Sequence, residues 1–120
     1  MQAELIKTFR FDAAHSLKNL PAGHKCSRLH GHSYRVDIHV SGPADARTGM
    51  VVDFAQIKAV VAPILGELDH RCLDEVEGLE NSTSELLCQY LWGRIQPLLA
   101  GLSAITIWES DDSRCVYRGL

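Results

Sequence analysis

Two histidines one residue apart, His30 and His32, stand at the start of an alternating segment, with Cys26 four residues upstream of the first. In an extended chain successive side chains leave opposite faces, so both imidazoles point the same way. His15, at the end of an earlier alternating segment, can add a third ring from a neighbouring strand. Three nitrogen ligands leave the fourth position of a tetrahedral Zn2+ open, as catalytic zinc sites do. Cys26 has two readings beside such a cation: a thiolate base activated by the charge, or the fourth ligand of a closed structural site. Lys25 and Arg28 nearby favour the thiolate.

Two carboxylates extend the chemistry. Asp69-His70 lies where a helical stretch ends. It can be a plain helix terminator, since His suits that end of the dipole, or a carboxylate orienting an acid/base imidazole. Glu109 shares parity with Ile105 and Ile107, which puts a carboxylate at the end of an apolar strand face. Burying it is costly unless it meets donors. A heterocycle edge with adjacent N–H groups, such as a pterin or a guanine, would meet it with two parallel hydrogen bonds. The plainer alternative is that Glu109 lies just past the buried zone. His24, in a loop, and His39, on a polar strand face, are assigned no chemistry.

The elements that position these groups are legible from periodicity. Leu5, Phe9, Phe11, Ala13 and His15 share one parity of a strand from Glu4 to His15. In a second strand, His30 to Ser41, the apolar face of Tyr34, Val36, Ile38 and Val40 continues the parity of His30 and His32. Between them, Ser16 to Leu29 is a long loop without structure of its own, and such loops are more often functional than idle. Asp53 caps a helix carrying Phe54, Ile57, Val60, Val61, Ile64, Leu65 and Leu68 at helical spacing, with Gln56 in capping-box position. Pro63 calls for a kink or a break there. Arg71 to Asn81 reads as loop. Ser82-Thr83-Ser84-Glu85 is a second capping box, opening a helix with Leu86, Leu87, Tyr90, Leu91 and Ile95 on one side and an end near Pro97. Strands Ser103–Ser110 and Ser113–Arg118 follow, joined at Asp111-Asp112. The order β-β-α-α-β-β predicts one α+β domain over residues 1–120, a four-stranded antiparallel sheet with two helices on one face. Its two open edges must be covered, charged or paired with another chain.

Composition narrows the function classes. The 120 residues are 46% hydrophobic and 22% charged, with a net charge of -3, which leaves no basic footprint for nucleic acid. No apolar run is long enough to cross a membrane, and the N-terminus alternates where a signal peptide would be continuously apolar. Four cysteines without a CxxC pair then read as reduced thiols, which suits a cytoplasmic protein. No Gly-rich dinucleotide motif is present.

Taken together the residues resemble the 6-pyruvoyltetrahydropterin synthase superfamily, and within it the bacterial 6-carboxy-5,6,7,8-tetrahydropterin synthase branch. The resemblance is carried by Phe11-Asp12-Ala13-Ala14-His15, by Gly23-His24-Lys25-Cys26-x-Arg28-Leu29-His30-Gly31-His32-Ser33 and by Val52-Asp53-Phe54. Leu68-Asp69-His70, Gly78-Leu79-Glu80-Asn81-x-Thr83-Ser84-Glu85 and Glu109 extend it over nearly the whole chain. The three-residue gap between Cys26 and His30 resembles the carboxy branch. The resemblance implies the tunnelling fold (T-fold), in which subunits join sheets edge to edge into a barrel and commonly form a homohexamer, a dimer of trimers, with active sites between subunits. It implies Zn2+ on His15, His30 and His32, with Cys26 as proton acceptor relayed by His70 and Asp69. Glu109 would anchor the pterin ring, helped by Thr83 and Ser84. The implied activity is a carbon–carbon lyase acting on 7,8-dihydroneopterin triphosphate, releasing acetaldehyde and triphosphate, on the route to 7-deazaguanine and queuosine. Elimination of triphosphate alone, as in a 6-pyruvoyltetrahydropterin synthase, and a non-catalytic zinc-stabilised binding module are the competing readings. Two departures stand out. Ser82 replaces the Pro that often precedes Thr83, and Trp108-Glu109-Ser110 replaces Lys-Glu-Thr, so Trp108 is expected to alter the pocket rim.

Overall fold

The computed structural model describes residues 1–120. Strands β1 (Gln2–His15) and β2 (His30–Pro43) pair antiparallel along their full length, from Gln2 opposite Pro43 to His15 opposite His30. This long hairpin stretches the molecule to 57 × 24 × 22 Å. It also places one parity of each strand on each face, so Phe11 meets Tyr34 and Ala13 meets His32 on one side. Thr8 meets Asp37 and Asp12 meets Ser33 on the other.

The sheet has five strands, one more than periodicity predicts, in the order β3-β1-β2-β4-β5. The extra strand, β3 (Arg71–Cys72), runs parallel to β1 with Arg71 beside Ala13 and Cys72 beside Ala14, inside the stretch expected to be loop. Two residues carry no period to read; they are held by a tertiary bond, His70 N–H to the Asp12 carbonyl at 2.6 Å. β4 (Leu102–Ser110) pairs with β2, and β5 (Ser113–Tyr117) with β4.

Both helices lie on the face carrying Phe11, Tyr34, Val36, Ile38, Ile105 and Ile107. α1 (Phe54–Gly66) is capped by Asp53, whose side chain accepts from Ala55 N, and buries Ile57, Val61, Ile64 and Leu65. Pro63 does not end it. Its ring sits on the exposed side near the last turn, where only one intrahelical bond is forgone. Leu68 is buried just past the helix end. α2 (Ser84–Ile95) packs on β4 and β5 through Leu87, Cys88, Leu91 and Ile95, while Leu86 turns outward. Each fully buried Leu or Ile contributes roughly 1.5–3 kcal/mol. The capping box expected from Ser82 does not form. Thr83 is the N-cap and accepts from Leu86 N at 3.2 Å, because Ser82 is drawn into the core by His15.

Candidate active site

The hairpin register gathers His15, His30 and His32 on the core face, with ring centroids 4.5, 4.9 and 5.1 Å apart. One ring nitrogen from each lies within 4.8 Å of the others. Their outer nitrogens are anchored. His15 Nδ1 stands 3.0 Å from both the carbonyl oxygen and the hydroxyl of Ser82, and His30 Nδ1 is 2.7 Å from the Arg28 carbonyl. A carbonyl only accepts, so Nδ1 carries the hydrogen and Nε2 presents a lone pair. Those two Nε2 atoms are buried without any partner. Burial, followed by the neighbouring His30, lowers the His15 pKa and keeps the ring in its neutral, ligating form. Two orphaned nitrogens converging with a third imidazole are a donor set that suits Zn2+, so these residues fit the metal. The Cys26 sulfur lies outside the set, so the closed four-ligand arrangement is not formed.

Cys26 sits half-buried in a single 3-10 turn, Lys25–Ser27, so the long loop is ordered at the residue that matters. His24 Nδ1 accepts from Cys26 N at 3.0 Å, and Leu17 N donates to the Cys26 carbonyl at 2.8 Å. The second bond ties the loop to the end of β1, two residues beyond His15. His24, read from sequence as a plain loop residue, therefore positions Cys26. Asp74 performs a similar task on Ser16, accepting from its backbone N–H at 3.1 Å and from its hydroxyl.

Asp69 and His70 pair with each other at 3.0 Å, but not with Cys26. Asp69 also accepts from Asp12 N at 3.0 Å. That bond, followed by the one to His70, holds its carboxyl below the usual range. His70 adopts φ 60°, a left-handed conformation that non-glycine residues rarely take, and its side chain is 78% exposed. The two cluster with the Asp12 carboxylate, on the sheet face opposite the three imidazoles. A groove of about 530 Å3 is bordered by members of both groups, among them His32, Asp12 and His70.

Glu109 accepts from the Ser84 hydroxyl at 2.6 Å in a recess of about 310 Å3 at the start of α2. Thr83, the other expected helper, spends its oxygen on the helix cap. Trp108 is not at this rim. It alternates with Glu109 along β4 and lies on the opposite face, where its indole N–H donates to Asp37 at 3.0 Å. Sequence reading also missed Ser82, which anchors His15, and Asp74, which holds Ser16 beside it. For Ser82 the one available signal was its departure from the family's Pro.

Residues 4–120 match the family model described as "6-pyruvoyl tetrahydropterin synthase". The chain is 34% identical to the 6-carboxy-5,6,7,8-tetrahydropterin synthase of Synechocystis sp., over 94% of this chain and 91% of that one. It is 37% identical to the 6-pyruvoyl tetrahydrobiopterin synthase of Drosophila melanogaster, over 98% and 80% respectively. In three dimensions it matches the 6-pyruvoyl tetrahydropterin synthase of Caenorhabditis elegans with a TM-score of 0.92 at 29% identity, covering 100% of this chain and 97% of that one.

Proposed function

Since the chain belongs to the 6-pyruvoyl tetrahydropterin synthase family, we propose that it is a zinc-dependent lyase converting 7,8-dihydroneopterin triphosphate to 6-carboxy-5,6,7,8-tetrahydropterin. Acetaldehyde and triphosphate are the other products, and 7-deazaguanine synthesis, the route to queuosine, is the use. Zinc held by His15, His30 and His32 would supply a Lewis acid that polarises the side-chain hydroxyls and acidifies the adjoining C–H. Cys26, its backbone held by His24 and Leu17, takes the C–H proton. Glu109 grips the paired N–H edge of the ring, with Ser84 fixing one carboxylate oxygen. His70, oriented by Asp69, relays the proton. Because these two bond each other and Asp12 but not Cys26 within one chain, a second copy brings them to it across a sheet edge, as a homohexamer with shared sites would.

The observation that carries this reading is the pair of buried, unpartnered Nε2 atoms on the same sheet face as Glu109. The 37% identity to the Drosophila synthase supports a second reading, triphosphate elimination without carbon–carbon cleavage. Mass analysis of the zinc-loaded protein's products from dihydroneopterin triphosphate separates them. The first reading gives the 6-carboxy product with equimolar acetaldehyde, lost in Cys26→Ala with zinc retained; the second gives a pyruvoyl product and no acetaldehyde. No pterin product from zinc-loaded protein would overturn both.

A further inference from the structure

The loop that carries Cys26 has one anchor outside its own hairpin. Ser16 to Leu29 bonds largely within itself: Leu17 N donates to the Cys26 carbonyl at 2.8 Å, His24 N to the Pro21 carbonyl and Ser27 N to the His24 carbonyl. At its far end the Arg28 carbonyl accepts from His30 Nδ1. Of the residues outside the loop and the two strands it joins, only Asp74 hydrogen-bonds or ion-pairs with it. The Asp74 carboxylate accepts from the Ser16 backbone N–H at 3.1 Å and from the Ser16 hydroxyl, and Lys18 Nζ lies 3.9 Å away. Asp74 is itself held. It sits in a 3-10 turn, Leu73–Glu75, whose Leu73 is fully buried, and this turn follows directly on the pairing of β3 with the end of β1. Its side chain is only 14% exposed, and burying a carboxylate is costly unless donors meet it. Ser16 supplies two, and the next residue, Leu17, grips Cys26.

We propose that Asp74 is a positioning residue for Cys26, clasping the start of the loop so that the thiol keeps one place relative to His15 at the end of β1. The proposal rests on the reading of Cys26 as the proton acceptor. The path from clasp to thiol is short: Asp74 fixes Ser16, and Leu17 passes that position to Cys26 through one backbone hydrogen bond. Without the clasp the loop keeps its internal bonds and moves as a body. Misplacing a reacting group by about 1 Å through a change away from the chemistry lowers the rate about 100-fold. The loss falls on kcat, because Glu109 and Ser84, which grip the ring, belong to β4 and α2 and not to the loop.

Asp74→Ala removes the clasp. In zinc-loaded protein the expected results are unchanged zinc content, unchanged affinity for neopterin (an oxidised pterin that does not react) and kcat lowered about 100-fold. Trypsin cleavage after Lys25 and Arg28 under native conditions, which reads opening of the loop, should speed up about tenfold for the lost charge-assisted bonding. Asp74→Asn should recover most of both. Its amide oxygen still accepts from Ser16 N–H, and its NH2 donates to the hydroxyl, which turns to accept. Ser16→Ala loses only the hydroxyl bond and should fall between wild type and Asp74→Ala; it decides the matter if Asp74→Ala does not fold. Wild-type kcat in the clasp variant would overturn the proposal, whatever its cleavage rate. Loss of zinc would mean that Asp74 acts through His15, and an equal defect in Asp74→Asn would mean that its charge matters and not its grip; either result overturns it. Should wild type give no pterin product, the parent reading fails, while the trypsin comparison still decides whether Asp74 holds the Cys26 loop.

Discussion

The two faces of the sheet treat buried polar groups in opposite ways. Away from the helices, Asp37 is 6% exposed yet fully met: Thr8 donates at 2.7 Å, Arg35 at 3.2 and 3.1 Å, and Trp108 at 3.0 Å. The Trp108 indole is flanked by the guanidinium groups of Arg35 and Arg114, each 4.5 Å from its ring. His39 bridges Glu4 at 2.9 Å and Thr106 at 3.0 Å. On the helix side, two imidazole nitrogens and one phenol are buried with nothing to bond. The first face uses its polar groups to stiffen the sheet; the second leaves them unpaired, as a site does when it is shaped for something absent from the chain. Polar character alone does not separate them. Satisfaction does.

Removing a ligand from the unsatisfied face should have the largest effect. His30→Ala is expected to take zinc from about one ion per chain to none and to abolish turnover. The metal-free variant should melt where metal-free wild type does, since His30 is only half-buried at a strand end. Elemental analysis and melting curves in chelator check both, and full zinc occupancy in the variant would erase the distinction between the faces.

Asp37→Asn tests the satisfied face. It should cost about 1–3 kcal/mol of folding stability while zinc affinity and kcat stay at wild-type values. Burial alone would raise the Asp37 carboxyl, but hydrogen bonds from Arg35, Thr8 and Trp108 together hold it below its ordinary range. The unfolded chain therefore takes up this proton at higher pH than the folded one. The stabilisation is complete above the ordinary Asp value of about 3.9 and is lost as pH falls through the lowered native value. Urea titrations should accordingly show a shallower loss of stability below about pH 4 in the variant than in wild type. A parallel loss would mean that Asp37 is not the carboxylate responsible.

The smallest effect is expected where the helix-side face is already satisfied. Ser82→Ala removes one of two acceptors at His15 Nδ1 and leaves the carbonyl in place. Zinc affinity, measured by chelator competition, should weaken about tenfold, at the lower end of what outer partners of metal ligands contribute. Unchanged affinity would assign the whole of the anchoring to the carbonyl.

Much of the site was legible because its logic is local. Alternation alone put His15, His30 and His32 on the apolar parity and Glu109 beside Ile107, and the structure keeps both. The same alternation places Trp108 opposite Glu109, so the expectation that it alters the pocket rim overlooked a signal already present. Helical spacing found both helices, although the cap of α2 moved from Ser82 to Thr83 once Ser82 had a distant partner.

What periodicity could not supply were contacts between residues far apart in sequence. The bond from Ser82 to His15 spans 67 positions, that from Asp74 to Ser16 spans 58, and that from Asp69 to Asp12 spans 57. β3 exists only because the chain after α1 lands beside the end of β1. Sequence determined which side chains share a face, since a period of two or 3.6 residues is set by the backbone within a few bonds. Tertiary structure decided which buried groups find partners and which are left waiting. It also gathered His70 with Asp69 and Asp12 on the face opposite the three imidazoles, because only the folded chain brings segments dozens of residues apart within the roughly 3 Å over which a hydrogen bond acts.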